Sequence, residues 1–347
     1  MSNLHLDRKE PEMAIRGVRT AFNWLLAAIV ASLALSAAQS AAASPLLGAR
    51  CDAGEARDPA TGRGFFLDYP CDLKPGEKVV FVLLLHGAGS SGEWVRQYFP
   101  ATKYKEKYRL VIATPTAAGG GPTPVRMWLA DADDRYLHDI TDMVVGAVGR
   151  RNIQAFWVAG HSQGGLTANR IVCDDDFRGK VDGWLSLSGG RIGSAPLNPE
   201  FFKGLNLKGF PPGAGPPGGA PGIAVTPVCD LNFIFETGEH EILSLPQGSP
   251  WADRYACLPK RREPDVVDDQ PGLVDNGPKP GPPNLAQGTT ARPGTARVYV
   301  YPGCRGRRLV ADIERLDKGH TEGLEPRVTE KIVRLLVAAP GGRLNKE

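Results

Sequence analysis

Residues Trp157–Leu166 read WVAGHSQGGL. A short apolar run, Phe156 to Ala159, leads into Gly160-His161-Ser162-Gln163-Gly164-Gly165, and a helical pattern follows from Leu166 to Val172. The order is strand, sharp turn, helix, with G-x-S-x-G at the turn. A serine in that turn takes a strained backbone conformation that exposes its hydroxyl at the edge of a sheet. Gly160 and Gly164 leave room for the turn and for close strand–helix packing. The N–H of Gln163 is then aimed where an oxyanion forms. A glycine-rich βα turn around an ordinary serine fits the same residues. Partners in the right chain order separate the two readings.

Working outward, the chain alternates apolar strands with amphipathic helices. Gly64–Tyr69, Lys78–Leu85, Leu110–Thr114, Ala155–Ala159, Trp184–Leu187, Leu231–Phe235 and Val298–Tyr301 read as strands. Lys78–Leu85, KVVFVLLL, is apolar without alternation, as a strand buried on both faces must be. Asp131–Val148 reads as a helix with Tyr136, Ile140, Met143, Val144 and Val148 on one face, and Val328, Ile332, Leu335 and Leu336 form the stripe of a last helix. The pattern predicts an α/β fold, a mostly parallel central sheet with helices on both faces. Two stretches break the rhythm. Phe210–Gly222, FPPGAGPPGGAPG, is low in complexity, and Lys260–Gly294 is rich in Pro, Gly and Asp without a clear period. Both read as long loop insertions, the second a candidate lid.

Composition bounds the rest. Of 347 residues, 42% are hydrophobic and 23% charged, as in an ordinary globular protein. The net charge of +3, from 41 basic and 38 acidic residues, is too near balance to point to nucleic acid. Residues 1–43 read as a secretory signal peptide. Arg16 and Arg19 precede an apolar run, Ala21–Leu35, and Ala41-Ala42-Ala43 supplies an A-x-A site with cleavage after Ala43. Met13 is an alternative start, and an uncleaved anchor helix the rival reading. Arg50 before Cys51 argues against lipidation. The expected place is therefore secreted or periplasmic, with no stable membrane association once the signal is removed, and residues 44–347 make one catalytic domain. Cys51, Cys71, Cys173, Cys229, Cys257 and Cys304 are six in an exported chain, which suggests three disulfides with the connectivity open.

A serine nucleophile needs a base, and the base an orienting acid. His5 falls in the signal, His86 in the loop after the second strand and His138 on a helix face. His161 adjoins Ser162, so its ring is expected to point away from the hydroxyl. Of His240 and His320, the second lies in Asp317-Lys318-Gly319-His320-Thr321, between a β-like stretch, Leu309–Leu316, and the final helix. A loop after the last strand is where the base belongs, which selects His320. The acid is sought past the strand Leu231–Phe235, in Glu236-Thr237-Gly238-Glu239-His240-Glu241. Glu239, just after a glycine turn, is the first choice, Glu241 the second and Asp230 a third. The turn His86-Gly87-Ala88-Gly89 offers the second oxyanion donor, the N–H of Ala88.

These residues carry a family resemblance. LLLHGAGSS at Leu83–Ser91, Trp128 followed by Asp131-Ala132-Asp133-Asp134, GHSQGGLTANRIVC at Gly160–Cys173 and CRGRRLVADIERLDKGHT at Cys304–Thr321 together resemble the exported α/β-hydrolases grouped as poly(3-hydroxybutyrate) depolymerase-like and feruloyl or acetyl xylan esterases. The resemblance spans about Gly64 to Val337 and implies the α/β-hydrolase fold. Where that family carries a His-Gly-x-x-Asp turn, this chain has Phe235-Glu236-Thr237-Gly238-Glu239, which sets Glu239 over the aspartate. The family's tryptophan after the GHT histidine is missing; Glu322-Gly323 stands there. Trp251–Cys257 resembles its W-to-C segment, and the resemblance thereby implies a Cys257–Cys304 bridge, with Cys173–Cys229 and Cys51–Cys71 as the remaining pairs.

The sequence thus predicts an exported serine esterase. Ser162 attacks a carboxylic ester, His320 relays the proton, Glu239 orients the imidazole, and Ala88 and Gln163 hold the oxyanion. The substrate is an ester, small or linked to a polymer or polysaccharide. The mechanism calls for no metal and no organic cofactor. A polyhydroxyalkanoate depolymerase, a serine peptidase and a non-catalytic exported binding protein on the same fold are the rivals. The exported protein is expected to begin at Ser44, which amino-terminal sequencing checks; an intact Met1 or Met13 supports the anchor instead.

Overall fold

A computed structural model describes residues 45–48, 50–119, 126–190, 228–241, 245, 247–273, 285 and 287–345. The signal segment 1–43, the insertion 210–222 and residues 274–284 of the second insertion lie outside them. The described strands are β1 (Gly54–Arg57), β2 (Gly64–Asp68), β3 (Val79–Leu85), β4 (Leu110–Pro115), β5 (Ile153–His161), β6 (Gly183–Leu187), β7 (Asn232–Gly238), β8 (Arg261–Arg262), β9 (Val266–Val267), β10 (Thr295–Val300) and β11 (Val310–Arg315). The helices are α1 (Gly92–Tyr98), α2 (Lys105–Tyr108), α3 (Ala130–Val148), α4 (Gln163–Ile171), α5 (Pro250–Arg254) and α6 (Pro326–Ala338).

All the strands join one sheet, in the order β1-β2-β4-β3-β5-β6-β7-β11-β10-β8, with β9 also paired to β10. From β4 to β11 every neighbour is parallel, and the antiparallel pairs lie at the two edges. This is the α/β-hydrolase arrangement, with the serine turn leaving a central strand, β5, at its carboxyl end.

The unbroken apolar run of β3 is explained by burial on both faces. Phe81, Leu83 and Leu85 point to one side, onto Tyr136, Ile140 and Val144 of α3 and Ile171 of α4. Val80, Val82 and Leu84 point to the other, onto Val95 and Tyr98 of α1 and Val328, Ile332 and Leu336 of α6. Each helix stripe read from the sequence is the side that meets the sheet.

The insertion Lys260–Gly294 is less irregular than its composition suggests. β8 and β9 add to the free edge of β10, and Asp268 accepts hydrogen bonds from the N–H groups of Arg327 (2.9 Å) and Val328 (3.0 Å). Those are first-turn donors of α6, which have no partner within their own helix. The strands are two residues each, too short for any periodicity to register.

Disulfides link Cys51–Cys71, Cys173–Cys229 and Cys257–Cys304, the pairs the family resemblance implies. Bridges of this kind persist in oxidising compartments. No helix among the described residues is long and apolar enough to cross a membrane. Titration with a thiol reagent under denaturing, non-reducing conditions should find no free thiol. Reduction should lower the unfolding temperature, each bridge contributing about 2–4 kcal/mol. Two or more reactive thiols per chain would contradict this pairing.

Candidate active site

Ser162 stands between β5 and α4 with φ 53° and ψ −120°, a left-handed conformation unusual for a residue with a side chain. Its N–H donates to the carbonyl of Leu187 at 2.9 Å, which ties the turn to the end of β6. Gly164 makes the tight junction feasible: a side chain there would run into the backbone carbonyls of Leu85 and His86.

His320 comes from the loop between β11 and α6. Its Nε2 lies 2.8 Å from Ser162 Oγ, and its Nδ1 lies 2.7 Å from Glu241 Oε2. A carboxylate only accepts, so Nδ1 carries the proton and Nε2 presents its lone pair to the serine hydroxyl. Serine, imidazole and carboxylate form one continuous chain of hydrogen bonds. Both His320 and Glu241 are buried.

The carboxylate on His320 belongs to Glu241, not to Glu239. Glu239 turns the other way, and its Oε2 accepts from the N–H of Asp317 at 2.9 Å. Asp230 is farther off still, before β7, and pairs with Arg254 at 3.3 Å. The displacement has a definite cause. Gly238 reads in sequence as the start of a turn, yet β7 runs through it, and Gly238 pairs with Arg315 of β11. This glycine serves close approach, because a Cβ there would collide with the carbonyl of Lys318. The turn falls instead on Glu239 and His240, and the N–H of Glu241 returns to the carbonyl of Gly238 at 3.2 Å. The residue that emerges facing His320 is therefore two places later. Ile242 and Leu243, read as buried anchors beyond it, lie outside the described residues.

Glu239 nonetheless shapes the histidine loop. It accepts from Asp317, whose φ is 56° and whose carboxylate meets His240 Nε2 at 2.9 Å. The N–H groups of Glu239 and His240 donate to the carbonyls of Arg315 and Lys318, both at 2.9 Å. The acid loop and the histidine loop are thus zipped together by backbone.

The neighbouring turn is equally well braced. His86 Nε2 accepts from the N–H of Ala117 at 3.0 Å, which leaves Nδ1 to donate to the carbonyl of Gly87 at 2.7 Å. Burial holds the ring neutral, its pKa lowered to about 4. The N–H of Ser90 reaches the same Gly87 carbonyl at 3.2 Å. Because a peptide unit is planar and trans, fixing the Gly87 carbonyl turns the N–H of Ala88 the opposite way. Ala88 lines the same cleft as Ser162 and His320. Gln163 is the first residue of α4, so its N–H has no acceptor within the helix. Its side chain is occupied: Oε1 accepts from Trp128 N at 3.1 Å and Nε2 donates to Trp128 O at 2.9 Å. The indole N–H of Trp128 donates to the carbonyl of His86 at 2.8 Å. Ala88 and Gln163, expected together from the sequence, are indirectly joined through Trp128.

His161 does not turn wholly away from the site. It lines the cleft, and its Nε2 donates to the backbone carbonyl of His320 at 2.9 Å. Burial, and then the neighbouring His320, push its pKa well below the usual imidazole range, so it stays neutral. Arg315 carries no motif in the sequence, yet it is central to this end of the sheet. This fully buried guanidinium donates to Glu236 Oε1 (2.7 Å), to the carbonyls of Glu322 (2.7 Å) and Gly323 (3.0 Å), and to Glu325 Oε2 (3.3 Å). It clamps the segment that follows His320. The only signal in sequence was an arginine at the end of an apolar strand, which looks like any strand terminus.

No family model and no curated protein matches this chain in sequence. Among solved structures it is similar to an acetyl xylan esterase from Aspergillus awamori, at 12% identity over 83% of this chain and 98% of that one, with a TM-score of 0.45. It is also similar to a thermophilic esterase from the planctomycete Thermogutta terrifontis, at 16% identity over 57% of this chain and 74% of that one, with a TM-score of 0.38. A fluorophosphonate-binding serine hydrolase of Staphylococcus aureus, FphF, aligns at 14% identity over 54% of this chain and 78% of that one, with a TM-score of 0.34. Likeness this distant carries no argument about activity, and the fold assignment rests on the strand order itself.

The geometry makes a direct prediction about the two glutamates. Glu241→Gln should lower kcat by roughly 10²- to 10⁴-fold, because an amide on Nδ1 permits the wrong imidazole tautomer. Glu239→Gln should cost far less, about 10-fold at most, since it loosens only the loop at Asp317. Steady-state kinetics on any ester the protein hydrolyses checks this, and exchanged effects would restore Glu239 as the acid.

Proposed function

We propose that the protein is an exported serine hydrolase that cleaves carboxylic esters through an acyl-enzyme. The observation that carries this is the unbroken chain Ser162 Oγ–His320 Nε2 at 2.8 Å and His320 Nδ1–Glu241 Oε2 at 2.7 Å, opening onto a cleft. Ser162 Oγ adds to the ester carbonyl while His320 Nε2 takes its proton. Glu241 holds the imidazole in the tautomer that accepts at Nε2 and stabilises the cation that forms. The negative charge that develops on the carbonyl oxygen is received by the N–H groups of Ala88 and Gln163, already oriented before substrate arrives. His320 then returns the proton to the leaving alcohol. Water, activated by the same imidazole, releases the acid and restores Ser162.

Export is supported by the signal-like segment 1–43 and the three disulfides. The intact hydrogen-bond chain speaks against a binding protein that has lost its chemistry.

Ser162→Ala and His320→Ala should each lower kcat by a factor on the order of 10⁴ or more, because such residues act as a unit. Circular dichroism should show both variants folded. A fluorophosphonate should label Ser162 in the wild type and label neither variant efficiently. Absence of an adduct on wild-type Ser162 would favour the non-catalytic binding protein, and more than about a tenth of the activity surviving in either variant would sink the assignment.

A further inference from the structure

The cleft over Ser162 encloses about 570 Å³. Its wall includes the Gly87–Ser91 turn, Trp94, Arg126, Gln287 and Thr321. Among these lining side chains no carboxylate appears, and Arg126 alone carries a permanent charge. Burial holds His161 neutral.

Arg126 differs from the other arginines near this end of the sheet. Arg63 pairs with Asp133 at 2.7 Å, Arg96 with Asp68 at 2.7 Å, and Arg170 with Asp134. The guanidinium of Arg126 has no acidic partner among the described residues and reaches a backbone oxygen, that of Ser90, at 3.4 Å. The undescribed neighbours 120–125 read Gly-Gly-Pro-Thr-Pro-Val and hold no acid. The residue is well anchored even so. Its carbonyl accepts from the N–H of Gly89 at 2.7 Å, and two residues on Trp128 is gripped by Gln163. The backbone of Arg126 is thereby tied to both oxyanion segments, and its exposed side chain extends from there along the rim of the cleft. Beside it, the hydroxyl of Ser90 is buried and has no partner among the described residues.

We infer that Arg126 receives a carboxylate of the substrate. This rests on the ester-hydrolase reading above and narrows it. The ester attacked by Ser162 carries a negative charge in its acyl or alcohol part, a few atoms from the scissile carbonyl. Arginine suits this role because its planar fork donates to both oxygens of a carboxylate at once. A neutral ester of equal shape leaves the cation with water and a backbone oxygen, so discrimination comes from the charge and not from the fit.

Two matched pairs of esters test this. The p-nitrophenyl monoester of adipic acid is compared with p-nitrophenyl 6-methylheptanoate, which places the charge on the acyl side. 4-Acetoxybenzoate is compared with 4-acetoxybenzamide, which places it on the alcohol side. In one of the pairs the wild type should prefer the anion. Arg126→Gln should lower the ratio of kcat/KM, anionic over neutral, by about 10- to 100-fold, the range for a lost charge-assisted hydrogen bond. Arg126→Lys should retain part of the ratio, and Arg126→Glu should invert it. Added salt should erode the wild-type preference. Active protein whose ratio is the same in the wild type and Arg126→Gln, for both pairs, overturns the carboxylate site while leaving the hydrolase intact. Wild-type protein inert toward all four esters, with no fluorophosphonate adduct on Ser162, overturns the ester-hydrolase reading and this inference with it.

Discussion

Parallel pairing of β7 with β11 is the constraint on which the site depends. It sets Gly238 beside Arg315, so the loops that carry Glu241 and His320 leave the sheet together at its carboxyl edge. These residues are 79 positions apart in sequence, yet their side chains meet at 2.7 Å. Gly238 is what lets the loops close to backbone contact, because its hydrogen occupies the space that any side chain would need against Lys318. A shift of one residue in this register would turn the side chains of β7 to the opposite faces of the sheet and carry the acid away from the imidazole.

Behind the histidine lies a dense set of buried charges. Glu236, Glu322 and Glu325 surround Arg315 and Lys318, with Glu241 close by. Lone buried ions are strongly disfavoured, so such a set persists only when each member is paired and hydrogen-bonded. Arg315 meets that condition: burial opposes its charge, but Glu236 and Glu325 outweigh burial and hold the guanidinium protonated. The balance is not exact on the acidic side, and burial raises the pKa of Glu236 to about 7. The result is a rigid floor for the loop of His320, and a precise floor is what a 2.8 Å contact to Ser162 demands.

The second insertion enters the same structure. Lys318 donates to the carbonyls of Arg292 (2.6 Å) and Pro293 (3.3 Å), and Glu322 Oε1 accepts from Thr289 N at 3.0 Å. Thr321 donates to the carbonyl of Gln287, a residue that lines the cleft. Residues 287–294 are thus held by the histidine loop, and Gln287 among them lines the site. Their proline and glycine content reflects close packing of backbone on backbone, as where Gly288 and Gly319 abut.

What the sequence determined by itself was set by short-range chemistry. Alternating apolar strands and amphipathic helices specify a parallel sheet covered on both faces, because period and burial leave no other use for those residues. G-x-S-x-G between strand and helix specifies Ser162 at a strained turn, and a histidine in the loop before the last helix specifies His320. Tertiary structure alone decided between Glu239 and Glu241. A glycine that begins a turn and a glycine that admits a neighbouring strand look the same in sequence; the difference lies in the carbonyl of Lys318, 80 residues away. The roles of Arg315, His86 and Arg126 were hidden for the same reason. A charged side chain shows in sequence only its own type, and whether it clamps a loop, turns a peptide or lines a cleft is fixed by the partners that folding brings to it.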